Sequence, residues 1–334
     1  MKFFKIATIL ALLAASAIQA GAGVLGSSVT QATLSPDETQ FYPLGELSAG
    51  EVVFGITTPV SGLPNGFDTP DTQVATFFED DLGPGDLSLL WLTANDDSDA
   101  DNNVSSDSFG SLFRLEAGPQ DRYSVGVTGF DDFFEGTGHP EQGDYLLTIG
   151  HVDPSSLGGD FADTEPANNT RAGADLLTLG AFDSQAAVNT LTAGASGDVD
   201  FYRIDLDAND VLTVMTAPLA GLSDDFDSPD TMLIFFDSQG NILFDDDEAG
   251  GDFSDLAADT MDWTNAHGSA LHFLSPATDT YYFAVTGYED STAIGDHNQV
   301  GDYALLVSRV PVPEPASAVL LLLGLGAAIR RRKK

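Results

Sequence analysis

YFAVTGY at residues 282–288 repeats YSVGVTGF at residues 123–130, and the pair decides the fold. In the later copy Tyr281, Phe283 and Val285 alternate with other side chains, as Tyr123, Val125 and Val127 do in the earlier one. An apolar period of two is that of a strand with one face turned to a core. Outward from this pair the repetition continues. Phe41-Tyr42 returns as Phe201-Tyr202, FDTPDT (67–72) as FDSPDT (226–231), and GDYLLTI (143–149) as GDYALLV (301–307), with an offset between 158 and 160 throughout. So constant an offset over a hundred residues means two duplicated units rather than a solenoid of short repeats.

Further strands follow from the same period. Residues 199–206 place Tyr202, Ile204 and Leu206 inward and Phe201, Arg203 and Asp205 outward; residues 210–217 and 230–236 are also strands, and Asp237–Asn241 is a turn. No helical period of useful length occurs between the two ends of the chain. The expected fold is all-β: two tandem jelly-roll-type antiparallel β-sandwiches, between an N-terminal signal helix and a short C-terminal apolar helix. The expected divisions are a signal peptide at 1–22, a first, diverged sandwich at 23–150, a linker at 151–164, a second sandwich at 165–310 and a sorting signal at 311–334.

Between the terminal segments lie 51 acidic residues and only five bases, Arg114, Arg122, Arg171, Arg203 and Arg309, a formal charge of −46. Self-repulsion on that scale calls for screening or bound cations. Charge of this sign makes nucleic acid and anionic membrane poor partners, and no nucleic acid is expected to bind. Two origins of the charge stand side by side, an acidic surface suited to saline surroundings and carboxylates that coordinate calcium. Cysteine is absent, so disulfides and thiol chemistry are excluded and apolar cores must hold the chain.

Both ends carry address signals. Met1 to Ala22 combines Lys2 and Lys5, an apolar run from Ile6 to Ile18 and small residues, the layout of a secretory signal peptide. The other end, Val312-Pro313-Glu314-Pro315, then an apolar run from Ala316 to Ile329, then Arg330, Arg331, Arg332, Lys333 and Lys334, resembles the PEP-CTERM sorting signals of Gram-negative bacteria. Fourteen residues of helix reach about 21 Å, short of a ~30 Å hydrocarbon core. Positive-inside logic leaves the basic cluster in the cytoplasm and the body outside. The resemblance implies transient inner-membrane anchoring, recognition by an exosortase, removal of the tail and release to the cell surface or extracellular matrix. A plain C-terminal anchor is the other reading.

The second unit is similar to the bacterial pre-peptidase C-terminal domain, a small β-sandwich of secreted peptidases and surface proteins. The likeness rests on Glu165-Pro166-Ala167-Asn168-Asn169, GDVDFYRIDL (197–206), the turn at Gly240-Asn241 running into Asp245-Asp246-Asp247, TYYFAVTGY (280–288) and GDYALLV (301–307). Relatives of that domain bind calcium through their leading segment and the aspartates before the Asp-Phe-Tyr strand. By position the resemblance implies Asp163, Glu165, Asn168, Asn169, Asp198 and Asp200 as ligands, oxygen donors of the kind Ca²⁺ takes. The alternative is that these groups only bond local backbone as Asx turns and strand ends. In the first unit Pro43 interrupts the early strand and no Glu-Pro-Asn element precedes Phe41, so no equivalent site is expected there.

A weaker calcium candidate is the loop Asp97, Asp99, Asp101 and Asn102, with Val104 at its eighth position. Its twelfth position is Ser108 rather than Glu, and no helices flank it. The later run Asp245, Asp246, Asp247, Glu248 and Asp252 is expected to be a solvated turn.

Catalytic patterns are sparse. His139, His151, His267, His272 and His297 show no HExxH or other close zinc spacing, and there is no GxSxG elbow. Trp91 and Trp263 are either core or a sugar-stacking platform. The expectation is a non-enzymatic exported surface or matrix protein, a binding or spacer module associated with exopolysaccharide. The alternative is a secreted polysaccharide hydrolase using a carboxylate pair.

Overall fold

The computed structural model describes residues 23–81, 87–95, 100–104, 108–118, 121–132, 134, 138–161, 163–192, 198–219, 228–247 and 268–312. The signal peptide, the sorting tail from Pro313 onward, Asp97, Asp99, Glu248, Asp252, Trp263 and His267 lie outside them. The first unit contains β1 (Val24–Leu34), β2 (Gln40–Leu47), β3 (Val52–Pro59), β4 (Thr72–Asp81), β5 (Leu87–Asn95), β6 (Asp101–Asn102), β7 (Leu112–Glu116), β8 (Asp121–Gly129) and β9 (Gly143–Val152). The second contains β10 (Gly158–Gly159), β11 (Asp175–Leu177), β12 (Asp183–Leu191), β13 (Asp200–Leu206), β14 (Asp210–Pro218), β15 (Thr231–Phe236), β16 (Ile242–Asp246), β17 (Ala270–Leu274), β18 (Asp279–Gly287) and β19 (Gly301–Pro311). A single 3-10 turn, Arg171–Gly173, is the helical content of the described residues.

The strands form four sheets. In the first unit the orders are β1-β9-β3-β7 and β2-β8-β4-β5; in the second they are β12-β19-β14-β17 and β13-β18-β15-β16, with β10, β6 and β11 added at edges. Strand for strand the second pair of sheets repeats the first. Tyr145 lies opposite Pro59 and Tyr303 opposite Pro218, so even the register is kept. Side-chain clips repeat as well. Thr57 Oγ1 and Thr72 Oγ1 share a hydrogen bond of 2.6 Å while the Ser111 N–H donates to Thr57 Oγ1 at 2.7 Å. Thr216, Thr231 and Ser269 reproduce this at 2.7 and 2.8 Å. Among the described residues the fold is thus all-β, two copies of one antiparallel sandwich.

Each unit has its own core between its two sheets: Val53, Phe113, Val125 and Leu147 among others in the first, Leu212, Phe235, Phe283 and Leu305 in the second. A third apolar layer joins the units. Val52, Phe54 and Ile56 of β3 and Leu112 of β7 pack on Met215 and Ala217 of β14 and Ala304 and Leu306 of β19. The two inner sheets are therefore buried on both faces, and every residue of β3 and β14 is buried. The half-buried reading fails for β14 because the central strands serve two cores at once.

Contacts across the junction are reciprocal. Thr148 Oγ1 meets Ser308 Oγ at 3.0 Å, while Gly150, which corresponds to Ser308, lies where a Cβ would sit 3.3 Å from Leu306, which corresponds to Thr148. Arg114 and His272 also correspond, pairing with Phe54 and Thr213 in their sheets, and each crosses to the other unit. Arg114 donates to the Thr216 carbonyl at 3.0 Å; His272 Nδ1 lies 3.3 Å from Thr58 Oγ1 and its ring 5.3 Å from that of Phe67. Such exchange of i–j and j–i contacts is the signature of an approximate two-fold axis. Burial pushes the Arg114 guanidinium down to about 9, with the Asp246 charge pulling it back up, and pushes the His272 imidazole down to about 3.

Three further expectations are corrected. Phe201 points outward but is buried, because Ala174, Met232, Phe236 and Ala293 cover that face. Pro43 does not interrupt β2, which bulges between Pro43 and Gly45 and pairs on through Leu47. Asp246 is no solvated turn; it is buried at the end of β16, and Oδ2 accepts the Ala270 N–H at 2.6 Å.

Candidate metal centre

Residues 163–169 lead into the second unit and lie against the start of β13, where the Phe201 N–H donates to the Asn168 carbonyl at 3.0 Å. This docking brings Asp163, Glu165 and Asp200 together, with one carboxylate oxygen from each within 4.8 Å of the others. Glu165 is exposed at the mouth, Asp163 is half-buried, and Asp200 forms a buried floor. Asn168 is buried between two of them, and Nδ2 donates to Asp163 Oδ1 at 3.0 Å and to Asp200 Oδ1 at 3.3 Å. With its amide nitrogen turned inward, Asn169 donates to both Glu165 oxygens at 2.8 Å. Asp198 is adjacent, but its Oδ2 accepts from the Thr192 N–H and hydroxyl, each at 2.9 Å. Asp198 is thereby partly used in strand-end bonding, as the Asx reading expected.

Among the described residues no base offsets this charge. The ion pairs among the described residues join His151 to Glu51 and Arg309 to Asp207 and Asp210, and none reaches the three carboxylates. Burial, then the Asp163 charge, holds Asp200 well above the usual carboxylate range, against the pull of the Tyr303 hydroxyl. Desolvation, with the Asp198 and Asp163 charges behind it, raises Glu165 to about 7, although its hydrogen bond to Asp200 acts the other way. Burial raises Asp163 too, against its hydrogen bond from Asn168. Burial and mutual repulsion make each of the three carboxyl groups resist ionisation, and among the described residues no positive side chain lies against them.

The duplicated unit supplies an internal control. In the second unit Asn189 Nδ2 donates to the Tyr202 hydroxyl at 2.6 Å, Tyr202 and Tyr303 are hydrogen bonded, and Tyr303 donates to Asp200. In the first unit the hydroxyls of Tyr42 and Tyr145, their counterparts, lie 2.6 Å apart and within 2.9 and 2.7 Å of Gln40 Oε1, so two protons serve three contacts and Gln40 Oε1 accepts for the pair. Gln40 stands where Asp200 stands, and its Nε2 donates to the Thr33 carbonyl at 2.8 Å. Both copies place an acceptor for the tyrosine pair at this position, and in the first a neutral amide meets that need. In the second the other carboxylate oxygen accepts from Asn168, where the first copy has the Gln40 amide donating to Thr33. Comparing the two copies at an offset of 160 exposes this Gln40/Asp200 difference in the sequence itself.

The weaker candidate takes a different form. Asp101 and Asn102 make β6, which runs parallel to β17 of the second unit, and Asn103 bonds both backbone groups of Leu274 at 2.9 Å. Burial and the charges of Asp245 and Asp247 raise Asp101 above its ordinary value, so the two acidic runs meet across the junction. Of the sorting signal, Val312 is described; its N–H donates to the Asn209 carbonyl at 3.0 Å.

Residues 311–334 match the PEP-CTERM protein-sorting motif. That motif marks an exported protein processed by an exosortase at the membrane. No helix of the described residues is long and apolar enough to cross a membrane. No curated protein matches the chain. Among solved structures, CorA, a surface-associated copper-binding protein of Methylomicrobium album BG8, aligns at 10% identity over 36% of this chain and 92% of its own, with a TM-score of 0.23. An uncharacterized protein from Burkholderia cenocepacia aligns at 12% identity over 84% of this chain and 81% of its own, with a TM-score of 0.20. The tandem CBM51 modules of a family 98 glycoside hydrolase from Streptococcus pneumoniae SP3-BS71 align at 9% over 84% and 83%, with a TM-score of 0.22. Likeness at these scores carries no argument about ligand or chemistry.

Proposed function

We propose that this exported protein works at the cell surface or in the extracellular matrix by binding, without catalysis. Two jelly-roll sandwiches present it to exopolysaccharide, and the second holds a calcium ion. The observation that carries the calcium assignment is the convergence of Asp163, Glu165 and Asp200 in the copy that has Asp200 where the other has Gln40. An all-oxygen donor set without nitrogen or sulfur suits a hard cation. Asp163, Glu165 and Asp200 would hold the ion, Asn168 braces two of them, and Asn169 and Asp198 border it. Bound there, the ion ties the leading segment 163–169 to the sandwich and neutralises the most crowded charge of an acidic chain.

The jelly-roll assignment is supported by the strand orders: leaving out the short edge strands β6, β10 and β11, both units place their first, eighth, third and sixth strands in one sheet and their second, seventh, fourth and fifth in the other. The hydrolase alternative is served less well. A glycosidase holds a sugar between its two carboxylates, whereas here the oxygens crowd within 4.8 Å above a buried floor.

Thermal unfolding in millimolar calcium, in EDTA, and in magnesium or NaCl at matched ionic strength tests the assignment. Ligand bound to the native state adds RT ln(1 + [L]/Kd), so ~1 mM calcium on a ~10 µM site adds about 2.7 kcal/mol. A rise that magnesium and NaCl reproduce would be charge screening, and the calcium site would then be abandoned.

A further inference from the structure

Where the two units meet, an open groove of about 760 Å³ runs along one end of the second sandwich. Its floor is apolar: Leu243 and Phe244 of β16, Phe273 of β17, Tyr281 of β18, and Pro276 from the turn between β17 and β18. Phe244 is half-buried and is the outermost ring of a stack, 5.4 Å from Phe235 and 6.3 Å from Phe273, which itself lies 4.8 Å from Tyr281. Packing from behind fixes that ring and leaves its outer side to the groove.

A polar ledge faces this floor. Asp237, Ser238 and Gln239 come from the β15–β16 turn and Asp279 from the start of β18. Hydrogen bonds order the ledge in advance: Gln239 Nε2 donates to Ser238 Oγ at 2.8 Å, and Ser238 Oγ donates to Asp279 Oδ2 at 2.9 Å. The remaining wall is the arm Asn102–Val104 of the first unit, held on β17 by the bonds of Asn103 to Leu274. The groove is therefore complete only when both units are present.

We propose that this groove binds a segment of neutral glycan. The inference rests on the reading that the protein associates with exopolysaccharide, and it gives that association a place. Among the described residues no Lys, Arg or His lines the groove, and the ionic lining groups, Asp237 and Asp279, are acidic, which turns anionic polymers away. A neutral sugar suits both walls: its C–H faces lie on Phe244 and Leu243, and its hydroxyls donate to the Asp279 carboxylate and the Gln239 amide oxygen. Few apolar surfaces demand so many acceptors along one edge, and a sugar ring offers donors along its rim.

Native electrophoresis of the exported protein tests this, in gels cast with hydroxyethylcellulose, glucomannan or dextran and in gels cast with polygalacturonate. EDTA is present throughout, which keeps the calcium site out of the readout. Retardation by at least one neutral polymer and not by polygalacturonate is the expected result. The exposed-residue double variant Gln239→Ala, Asp279→Ala should weaken it roughly tenfold or more, the loss of hydrogen bonds to one charged and one neutral group, with an unchanged unfolding midpoint. Phe244→Ala should do the same by removing the stacking face. Retardation that persists in both variants would move glycan binding elsewhere on the molecule, overturning the groove while leaving the wider reading intact. No retardation by any of the three neutral polymers, or retardation by polygalacturonate alone, would overturn both.

Discussion

At residue scale the informative position is the one where the copies disagree. Asp200 and Gln40 accept from equivalent tyrosine pairs, so replacing Asp200 by Asn keeps the bond to Tyr303 and removes the buried charge. We expect Asp200→Asn to be as stable as the parent or more so in EDTA, by about 1 kcal/mol, and to lose the calcium response entirely. A variant that is destabilised in EDTA would show that the carboxylate itself is structural. His272 supplies a pH-dependent test. Its imidazole is pushed down to about 3 in the fold, against an ordinary value near 6.5. Between those values the unfolded chain takes up a proton that the native state refuses. Its contribution is present above 6.5 and is lost as pH falls toward 3, by roughly 1.4 kcal/mol per pH unit. Urea midpoints from pH 7 to 4 should fall less steeply for His272→Gln than for the parent; equal slopes would remove His272 from the account. Nothing in the sequence marks His272 as buried, since one histidine in a strand has no pattern. The grouping of Asp163 and Glu165 with Asp200 was legible only through a family resemblance, because 163–169 and Asp200 are brought together by folding.

At the scale of elements, the leading segment and the junction arm are both held by close backbone approach. Gly173 lies where a Cβ would collide with the Ala167 carbonyl, inside the segment that carries Asp163 and Glu165. Gly173→Ala should cost about 1–3 kcal/mol and weaken the calcium-induced rise in midpoint, since it displaces two ligands together. If the variant unfolds earlier but keeps the full calcium increment, the segment is not part of the site. Asn103→Ala strips β17 of two hydrogen bonds that cross between units, and the expected loss is also about 1–3 kcal/mol by urea titration. In the outer sheets the period of two located β8, β13, β15 and β18 and left β4, β5 and β16 unread; Tyr202, Ile204 and Leu206 do turn inward on β13. It gave no sign that β14 is buried on both faces and did not mark β3 at all, because DVLTVMTAP and VVFGITTP face apolar neighbours on both sides. Residues of that kind have no solvent side to reveal a period. The meeting of Asp101 with Asp245 and Asp247 was equally hidden, for it depends on how the two units stack.

The whole molecule is a stack of four sheets in which the middle two belong to different copies. Three apolar layers, one within each unit and one between them, share those middle sheets. Unfolding followed by tyrosine fluorescence and by far-ultraviolet dichroism should therefore give one coincident transition. Two separated transitions would mean that the junction contributes little to either unit. The reciprocal contacts of Thr148 with Ser308 and Gly150 with Leu306 give the single chain the geometry of a fused dimer. Duplication in that setting frees one copy to differ: the first could keep Gln40 while the second kept its carboxylates. The last strand has a mechanical consequence of its own. β19 lies between β12 and β14, antiparallel to both, and each pairing runs over nine residues. The sorting motif begins where that strand ends, so tension arriving through the tail pulls along the length of β19. A load in that direction strains the bonds on both flanks of the strand at once instead of peeling them one by one. A surface protein tugged by flow would then resist most firmly at the end by which it had been tethered.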